Sequence, residues 1–201
     1  MTTLAELTQQ VYEVTNRADL VAETRASIVR ATLSAHQVDT FWRDCKHQVI
    51  DCTSQPDYVY RLDLSTNFPR LRAVSKLHAW CPYTNSPMYE LAVSQKLGCK
   101  GKEFWRIEGS TLTISSPNSS KTFELVYYQN PDMQNYSSWI ADLYPYIIVD
   151  WAAYLIFEML GDTQMAAMYA NRVGTRGGSR PATGHCMLLI QDNLERVVRG
   201  Y

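Results

Sequence analysis

The spacing of apolar residues changes twice along this chain, and that change most limits the folds it can adopt. Over residues 1–44, apolar side chains recur every three or four positions, as in a helix that buries one face. Over residues 45–130 they recur every second position, as in strands, and over residues 131–201 the helical spacing returns. The sequence therefore predicts an α+β fold: a helical bundle formed by N- and C-terminal segments, with an inserted antiparallel β-sheet or sandwich.

The N-terminal segment predicts two helices joined by a tight turn. Thr3 and Glu6 have the spacing of a capping box, in which each side chain satisfies a free backbone N–H group of the first helical turn. A second helix is predicted over about Leu20–Val38, with Val21 and Ile28 on its apolar side. Two short helices joined so tightly are expected to pack as an antiparallel hairpin.

The C-terminal segment predicts further helices. Pro145 suits a first helical turn, and the apolar run that follows it ends at Leu160, before Gly161 as a C-terminal stop. Asp162 can cap another helix over Thr163 to about Val173, and a glycine-rich loop over residues 174–184 precedes the last helix. The side chains of the Thr163–Val173 helix that we expect to face inward are Met165, Met168 and Tyr169.

The middle segment predicts about five to seven short strands separated by turns. The alternation is clearest in Tyr58–Leu64, Leu71–Leu77 and Thr122–Tyr128. Glu108-Gly109-Ser110 lies between two alternating runs and predicts a hairpin. The other turn clusters are Ser54-Gln55-Pro56, Asn67-Phe68-Pro69, Asn85-Ser86-Pro87 and Ser116-Pro117-Asn118.

The charge balance excludes nucleic-acid wrapping as the main activity. The 201 residues include 19 basic and 20 acidic side chains, for a net charge of −1, whereas such binding relies on Lys and Arg to neutralise phosphates. Only 19% of the residues are charged, while 13 tyrosines and 5 tryptophans are present. A surface with so little charge is typical of a protein that is covered by permanent partners.

The cysteines and the first residues indicate a reducing compartment and no membrane. The five cysteines are irregularly spaced and include no CxxC pair, which does not suit a disulfide framework. The N-terminus lacks the basic start and apolar core of a signal peptide. The longest apolar stretch, Tyr144–Leu160, is short for a membrane span and contains Asp150 and Glu158.

Two groups of His and Cys residues are candidate metal ligands. His78 and Cys81 are three residues apart, and Cys45, His47 and Cys52 form a looser set. A structural zinc needs four converging ligands, usually in paired spacings. We therefore expect buried thiols and incidental histidines, with no metal and no other cofactor.

Catalytic motifs are equally weak, and we expect no enzyme. His185 and Cys186 are adjacent, but adjacent side chains on a helix point about 100° apart. The glycine-rich stretch lacks the Gly-Lys-Ser/Thr ending of a phosphate-binding loop. Asp142, Asp150 and Glu158 recur at eight-residue intervals, which favours a solvated or interface-facing stripe over a catalytic acid pair.

Two C-terminal features are candidate contact surfaces. One is an apolar stripe that continues to the last residue of the sequence and comprises Met187, Ile190, Leu194, Val197 and Tyr201. This stripe either packs on its own bundle or docks in a groove of a neighbouring subunit or another protein. The other feature is a set of evenly spaced arginines, Arg172, Arg176 and Arg180. They form either a solvated loop or a basic arm that touches acidic protein or passing DNA.

Three stretches together carry a likeness to a known family. The first runs from Ser27 through Ala35-His36 to Phe41-Trp42-Arg43-Asp44, and the second is Phe68-Pro69-Arg70-Leu71-Arg72. The most specific stretch comprises Trp105–Leu112, then Leu125–Tyr128 with Pro131, then Leu143-Tyr144-Pro145 and the apolar helix that ends at Leu160-Gly161-Asp162. In their order and spacing, which cover most of the chain, they resemble the head–tail adaptor (connector) proteins of tailed bacteriophages.

This resemblance implies a structural protein of the virion neck or tail that assembles in the host cytoplasm. Such adaptors form a ring, typically of about twelve copies, beneath the portal protein. Their helices contact the portal, and their β region contacts ring neighbours or the next tail component, a nozzle or tail-terminator protein. DNA passes through the channel with transient, non-specific contacts. On this resemblance the apolar stripe is expected to bind a partner, and the three arginines are expected to face the lumen or the portal.

The aromatic residues leave an alternative function open. Tyrosine and tryptophan on an open sheet face can bind sugars, so a carbohydrate- or receptor-binding β module of a viral tail is the second interpretation. Aromatic side chains lining a concave groove would favour it, and a flat aromatic patch would favour subunit contact. A small hydrolase is the third interpretation, and it would require a polar pocket.

Overall fold

The chain divides into two compact units, one helical and one built mainly of strands. The computed structural model describes residues 2–54, 58–94, 103–117, 121–176 and 181–199, with side chains up to residue 195 in the last helix. Met1–Arg43 and Pro131–Tyr201 form the first unit, and Asp44–Asn130 form the second. The α+β class predicted from apolar spacing is confirmed.

Seven α-helices lie in the described residues: α1 (Leu4–Thr15), α2 (Val21–His36), α3 (Leu64–Asn67), α4 (Trp139–Leu143), α5 (Pro145–Leu160), α6 (Thr163–Val173) and α7 (Gly184–Arg199). A short 3₁₀ turn covers Trp42–Asp44. All of the α-helices except α3 belong to the helical unit.

The N-terminal helices begin and end much as their sequence predicts. The capping box of α1 is confirmed: Thr3 Oγ1 accepts from the Glu6 N–H at 3.2 Å, and Glu6 Oε2 accepts from the Thr3 N–H at 2.7 Å. In α2, Ile28 is fully buried, but Val21 is 47% exposed. The prediction for Val21 is wrong because this residue begins the helix, where the packed face ends.

Helix α5 lies at the centre of the helical unit and packs against α1, α2, α4 and α6. Its buried side chains are mostly aliphatic, and they join those of α1, α2, α4 and α7 in one core. Pro145 begins the helix, and Gly161 ends it in the left-handed region with φ 72°, as predicted. A predominantly apolar helix is stable at such a position because it is surrounded by other helices.

Helix α6 packs on α5 through a narrower face than the sequence suggests. Asp162 caps it, since Asp162 Oδ1 accepts from the Met165 N–H at 3.0 Å. Tyr169 is buried and stacks on Phe157 of α5, with ring centroids 5.6 Å apart. Met168 is 38% exposed, so its predicted inward position is wrong. The buried residues Tyr169 and Val173 are one helical turn apart and leave Met168 off the packed side.

The β unit contains eight strands in its described residues: β1 (Cys45–Asp51), β2 (Val59–Asp63), β3 (Leu71–Cys81), β4 (Ser86–Glu90), β5 (Ala92–Val93), β6 (Phe104–Glu108), β7 (Thr111–Ser115) and β8 (Thr122–Gln129). They form two four-stranded sheets, ordered β1-β8-β3-β4 and β2-β7-β6-β5. All pairs are antiparallel except β5–β6, which is parallel. One core cluster draws on both sheets, and Tyr60 of β2 meets Phe123 of β8 with ring centroids 5.6 Å apart.

Local hydrogen bonding explains where the strand predictions fail. Leu64 begins helix α3 instead of ending a strand, because Asp63 Oδ1 accepts from the Ser65 N–H at 3.0 Å and caps a helical turn. Pro87 lies in β4 rather than in a turn, and β4 is an edge strand, where a residue without an N–H is tolerated. Register shifts in β3 interrupt the alternation predicted over Leu71–Leu77.

The hairpin predicted at residues 108–110 is confirmed. Glu108 of β6 pairs with Thr111 of β7, which leaves Gly109 and Ser110 as a two-residue loop. Gly109 has φ 60°, a conformation that two-residue hairpins often require at their first loop position and that glycine adopts without steric cost. Among the described residues, no helix is both long and apolar enough to span a bilayer.

Candidate functional site

Helix α7 has one buried side and one exposed apolar side. Cys186 and Leu189 are only 2% and 1% exposed and belong to the core of the helical unit. Met187 and Leu194 are 39% and 57% exposed. Residues seven apart lie on nearly the same side of a helix, so Met187 and Leu194 form one outward apolar surface.

The predicted apolar stripe is divided between these two sides. Ile190 packs, partly buried, against the core, whereas Met187 and Leu194 point outward. The side chain of Val197 and all of Tyr201 lie outside the described residues. Leu188 is 44% exposed and extends the outward surface, although the three-four spacing does not select it. We call Met187, Leu188 and Leu194 the outer face of α7.

Asn193 fixes which side of α7 faces inward. Its Oδ1 accepts from the backbone N–H of Trp42 at 3.2 Å. Its Nδ2 lies 3.0 Å from Asp39 Oδ2 and 3.3 Å from the carbonyl oxygen of Thr40, so it donates to both. Buried amides are stable only when their polar atoms are paired, and this set of bonds therefore sets the rotation of α7.

Asp150 connects three helices of the unit. Its carboxylate on α5 lies 2.9 Å from His185 Nε2 on α7 and 3.6 Å from Arg172 on α6. The Asp150 side chain is only 14% exposed. Asp150 therefore departs from the solvated or interface-facing stripe expected with Asp142 and Glu158, because its partners lie within the same unit.

Gly174 and Gly184 bring the ends of the glycine-rich loop together. Their φ angles are 76° and 56°, and a Cβ at Gly184 would lie 2.3 Å from the carbonyl oxygen of Arg172. Thr175 and Thr183 close the loop: the Thr175 N–H donates to Thr183 Oγ1 at 2.9 Å, and the Thr183 N–H donates to the Thr175 carbonyl at 3.1 Å. Only glycine permits this backbone approach between the end of α6 and the start of α7.

The described arginines of the predicted basic arm contact their own unit. The Arg172 guanidinium lies 4.9 Å from the ring centroid of Tyr169, and its side chain remains 51% exposed. Arg176 Nε donates to the carbonyl oxygen of Val38 at 3.2 Å. Arg180 lies outside the described residues. The contact of these arginines with a portal or with DNA stays a prediction.

Two of the candidate thiols, Cys52 and Cys186, lie in environments that favour the protonated form, whereas hydrogen bonding to Thr84 lowers the pKa of Cys81. Burial raises the pKa of Cys186, and it raises the pKa of Cys52 to about 11. A thiol that stays protonated is a poor nucleophile and a poor metal ligand. Within the described ranges, no group of three or more His, Cys, Asp or Glu side chains could hold a metal ion.

The candidate ligands His47 and His78 share one carboxylate. Glu124 of β8 lies between them, with His47 Nδ1 at 3.0 Å from Oε1 and His78 Nδ1 at 2.9 Å from Oε2. Burial opposes ionisation of Glu124, but the hydrogen bonds to both histidines outweigh it and lower the pKa of the carboxyl. The sequence does not reveal this arrangement, because it depends on β8 pairing with β1 on one side and β3 on the other.

Glu124→Gln should destabilise the β unit in a pH-dependent way. The folded pKa of Glu124 lies below its unfolded value, so its stabilisation is present above about pH 4.3 and is lost as the pH falls through the folded pKa. At pH 7 we expect a loss of about 1.5–3 kcal/mol, the scale of hydrogen bonds to a charged group. Thermal unfolding of both proteins from pH 7 to pH 3 measures this difference, which should shrink with acidity.

Glu108→Gln is the matched control for this prediction. The Glu108 side chain is 54% exposed and lies 3.3 Å from Arg106, so its ion pair should contribute less than about 1 kcal/mol. A difference between wild type and Glu124→Gln that stays constant down to pH 3 would contradict the role given to the Glu124 carboxylate.

Two of the most exposed aromatic residues of the β unit, Tyr58 and Tyr83, adjoin strands of different sheets. Tyr83, in the turn between β3 and β4, is 97% exposed, and Tyr58, just before β2, is 57% exposed. Trp105 is buried and donates its indole N–H to the carbonyl oxygen of Leu91 at 3.1 Å. Trp105 is thus a core residue rather than part of a sugar-binding platform.

Comparison with known proteins finds a family whose model matches this sequence. The family model described as SU10 adaptor protein matches residues 2–183, which is most of the chain. The match spans the β unit and the helical unit as far as the loop before α7. No curated protein matches the sequence.

Proposed function

Because the chain belongs to the SU10 adaptor protein family, we propose that it is a subunit of the ring that joins the portal protein to the tail in a tailed-phage neck. The family consists of structural phage adaptors and is not a family of enzymes. Ring formation, the two partners and the DNA channel are the finer parts of the proposal. The observation that supports them is the outer face of α7.

The outer face of α7 is apolar surface with a fixed direction. Asn193 and Leu189 hold the opposite side of the helix against its own unit, so Met187, Leu188 and Leu194 cannot turn inward together. Exposing three large apolar side chains on one helix loses stabilisation that a partner would supply, at about 25 cal/mol per Å² of apolar area covered. Such a helix suits docking into a groove of another protein.

The outward side of α2 offers a complementary surface. A groove of about 570 Å³ runs along it, with Ala26, Val29 and Leu33 as apolar lining and Arg25 and Arg30 beside them. A ring of identical subunits requires two different patches that fit each other. We assign the α7 outer face to one patch and the α2 groove to the other.

Charge beside the α2 groove can orient this pairing. Arg25 and Arg30 flank the apolar lining of the groove. Opposite charges at the edge of an apolar contact help to select one orientation.

The DNA channel, the lumen or portal contact and the contacts of the β unit are assigned from the net charge and from exposed side chains. A net charge of −1 suits a channel through which DNA slides with transient contacts, since few phosphates would be held. Arg172, half-exposed at the end of α6, is assigned with Arg176 and Arg180 to the lumen or the portal. The exposed Tyr83 turn of the β unit is assigned to ring neighbours or the next tail component. Assembly would take place in the host cytoplasm.

Native mass spectrometry and electron microscopy of the protein mixed with its portal protein test this function. We expect a closed ring of about twelve subunits on the portal. Retention of free monomer at high concentrations of both proteins would contradict the proposal. Rings that bind no portal would support self-association but contradict the portal assignment.

A further inference from the structure

Arg43 has an unusual environment for a surface arginine. Its guanidinium carbon lies 5.3 Å from the ring centroid of Trp42 and 5.1 Å from that of Trp139. Stacking on an indole uses the face of a guanidinium and leaves the in-plane N–H groups available for hydrogen bonds. The contacts therefore position Arg43 without occupying its donors.

The two indoles are themselves held firmly. Trp139 makes edge-to-face contacts with His36 and Phe41, at centroid distances of 5.7 and 5.2 Å. The backbone N–H of Trp42 is held by Asn193. The side chain of Trp42 nonetheless remains 36% exposed, so this aromatic platform opens to the surface.

The donors of Arg43 are not satisfied within the described part of the chain. Arg43 Nε is buried and has no hydrogen-bond partner there, and Arg43 makes no ion pair with a described carboxylate. The adjacent acid, Asp44, is paired with Arg72 at 3.4 Å. Because Nε is enclosed, a ligand approaching from solvent would meet the terminal nitrogens of the guanidinium, and these are the donors that it can pair with.

We propose that Arg43, with Trp42 and Trp139, is an anchor for a single carboxylate side chain of a partner protein. The two oxygens of a carboxylate match the planar fork of a guanidinium, and charge-assisted pairs of this kind are short and directional. Tryptophan and arginine are also the residues most enriched where binding energy concentrates in protein interfaces.

A protein carboxylate fits this anchor better than the phosphates of DNA. DNA binding gains affinity when several cations neutralise several phosphates together. Among the described residues, Arg43 is the cation that lies over both Trp42 and Trp139, and Asp39 is four positions before it in the sequence. One acidic side chain needs only one guanidinium, and it would encounter less repulsion than a polyanion.

The anchor shares no residue with the outer face of α7, so it can be tested without a ring. The full-length ¹⁵N-labelled protein is titrated with capped glutamate while the arginine Nε–H and indole N–H signals are followed by NMR. We expect saturable shifts of the Arg43, Trp42 and Trp139 signals, and no such shifts with capped glutamine, which has the same shape without the charge.

Two variants of Arg43, together with inorganic phosphate and DNA as further probes, test whether Arg43 binds a carboxylate. Arg43→Gln should abolish the glutamate response, and Arg43→Lys should weaken it at least several-fold, because lysine lacks the planar fork. Arg17→Lys is the matched control, because Arg17 already has Asp19 at 2.8 Å and its substitution should change nothing. Absence of glutamate-dependent shifts, or an unchanged response in Arg43→Gln, would overturn the proposal. Tighter Arg43-dependent binding of inorganic phosphate or of a short DNA duplex would also overturn it.

Discussion

Replacing Leu194 by glutamate is expected to leave the single chain folded and to abolish the ring assembly that we propose. Leu194 is 57% exposed in the single chain, so the substitution should change monomer stability by no more than about 0.5 kcal/mol. In an assembled ring the same side chain would be covered, and covering a leucine contributes about 1.5–3 kcal/mol. Glutamate would also place a charged carboxylate against the apolar lining of the α2 groove, which costs further free energy, so each subunit contact should weaken by well over tenfold.

Met159→Glu is the matched control for this result. Met159 is 53% exposed on α5, close to the exposure of Leu194, but it lies outside the outer face of α7. We expect Met159→Glu to assemble like the wild type in native mass spectrometry and in electron micrographs. Normal rings from Leu194→Glu would contradict the assignment, and a large fall in its Tm would indicate that Leu194 packs within its own unit.

A shortened chain tests the same surface, provided that the cut is placed correctly. Removal of residues from Leu194 onward should block assembly while Asn193 keeps its bonds to Trp42, Asp39 and Thr40. A cut before Asn193 would also remove these bonds and would lower the stability of the monomer.

Replacing Gly184 by alanine is expected to destabilise the helical unit strongly. The residue has φ 56°, a conformation that costs a residue with a side chain about 1–2 kcal/mol. The new Cβ would also lie 2.3 Å from the carbonyl oxygen of Arg172 and 2.9 Å from the Gly174 nitrogen. Both neighbours are backbone atoms, so relieving the clash requires α6 and α7 to move apart. We expect a total loss above about 2 kcal/mol, and thus a fall in Tm of at least about 5 °C.

Gly161→Ala separates the cost of the positive φ angle from the cost of the backbone clash. Gly161 has a similar φ of 72°, but a Cβ there would meet nothing within 4 Å. Its substitution should cost only the conformational part, about 1–2 kcal/mol. Thermal melts followed by helical circular dichroism compare the two variants. Equal losses would show that the contact between the loop ends contributes nothing.

The family match favours one of the three functions that the sequence leaves open. An adaptor family covering residues 2–183 agrees with the resemblance carried by the Trp105–Leu112 and Leu143-Tyr144-Pro145 stretches. Trp105 is buried, and Tyr58 and Tyr83 adjoin strands of different sheets, so these three residues do not support the carbohydrate-binding interpretation.

Much of the fold is predictable because its signals are local. The capping box at Thr3 and Glu6, the Pro145 start and Gly161 end of α5, and the Gly109 hairpin each depend on hydrogen bonds or φ angles within a few residues. Such features survive in the folded protein because tertiary packing does not oppose them. The α+β class follows in the same way from apolar periods of 3.6 and 2.

The candidate site is less predictable because it depends on which segments meet. The apolar stripe of α7 reads as continuous in sequence, yet Ile190 packs inward while Met187 and Leu194 point outward. Asn193 sets that rotation through hydrogen bonds to residues about 150 positions away, such as the one from the backbone N–H of Trp42. Likewise, the sequence predicts Asp150 to be a surface acid, but in the folded unit His185 and Arg172 lie beside it.

By itself, the sequence determined the order of helices and strands, the ends of most helices and the near-neutral charge, because these depend on neighbouring residues or on simple counts. Only the tertiary structure decided the pairing of Glu124 with His47 and His78, the outward side of α7 and the unsatisfied donor of Arg43. These features depend on strand register, helix rotation and long-range packing, which the spacing of residues in the sequence does not predict.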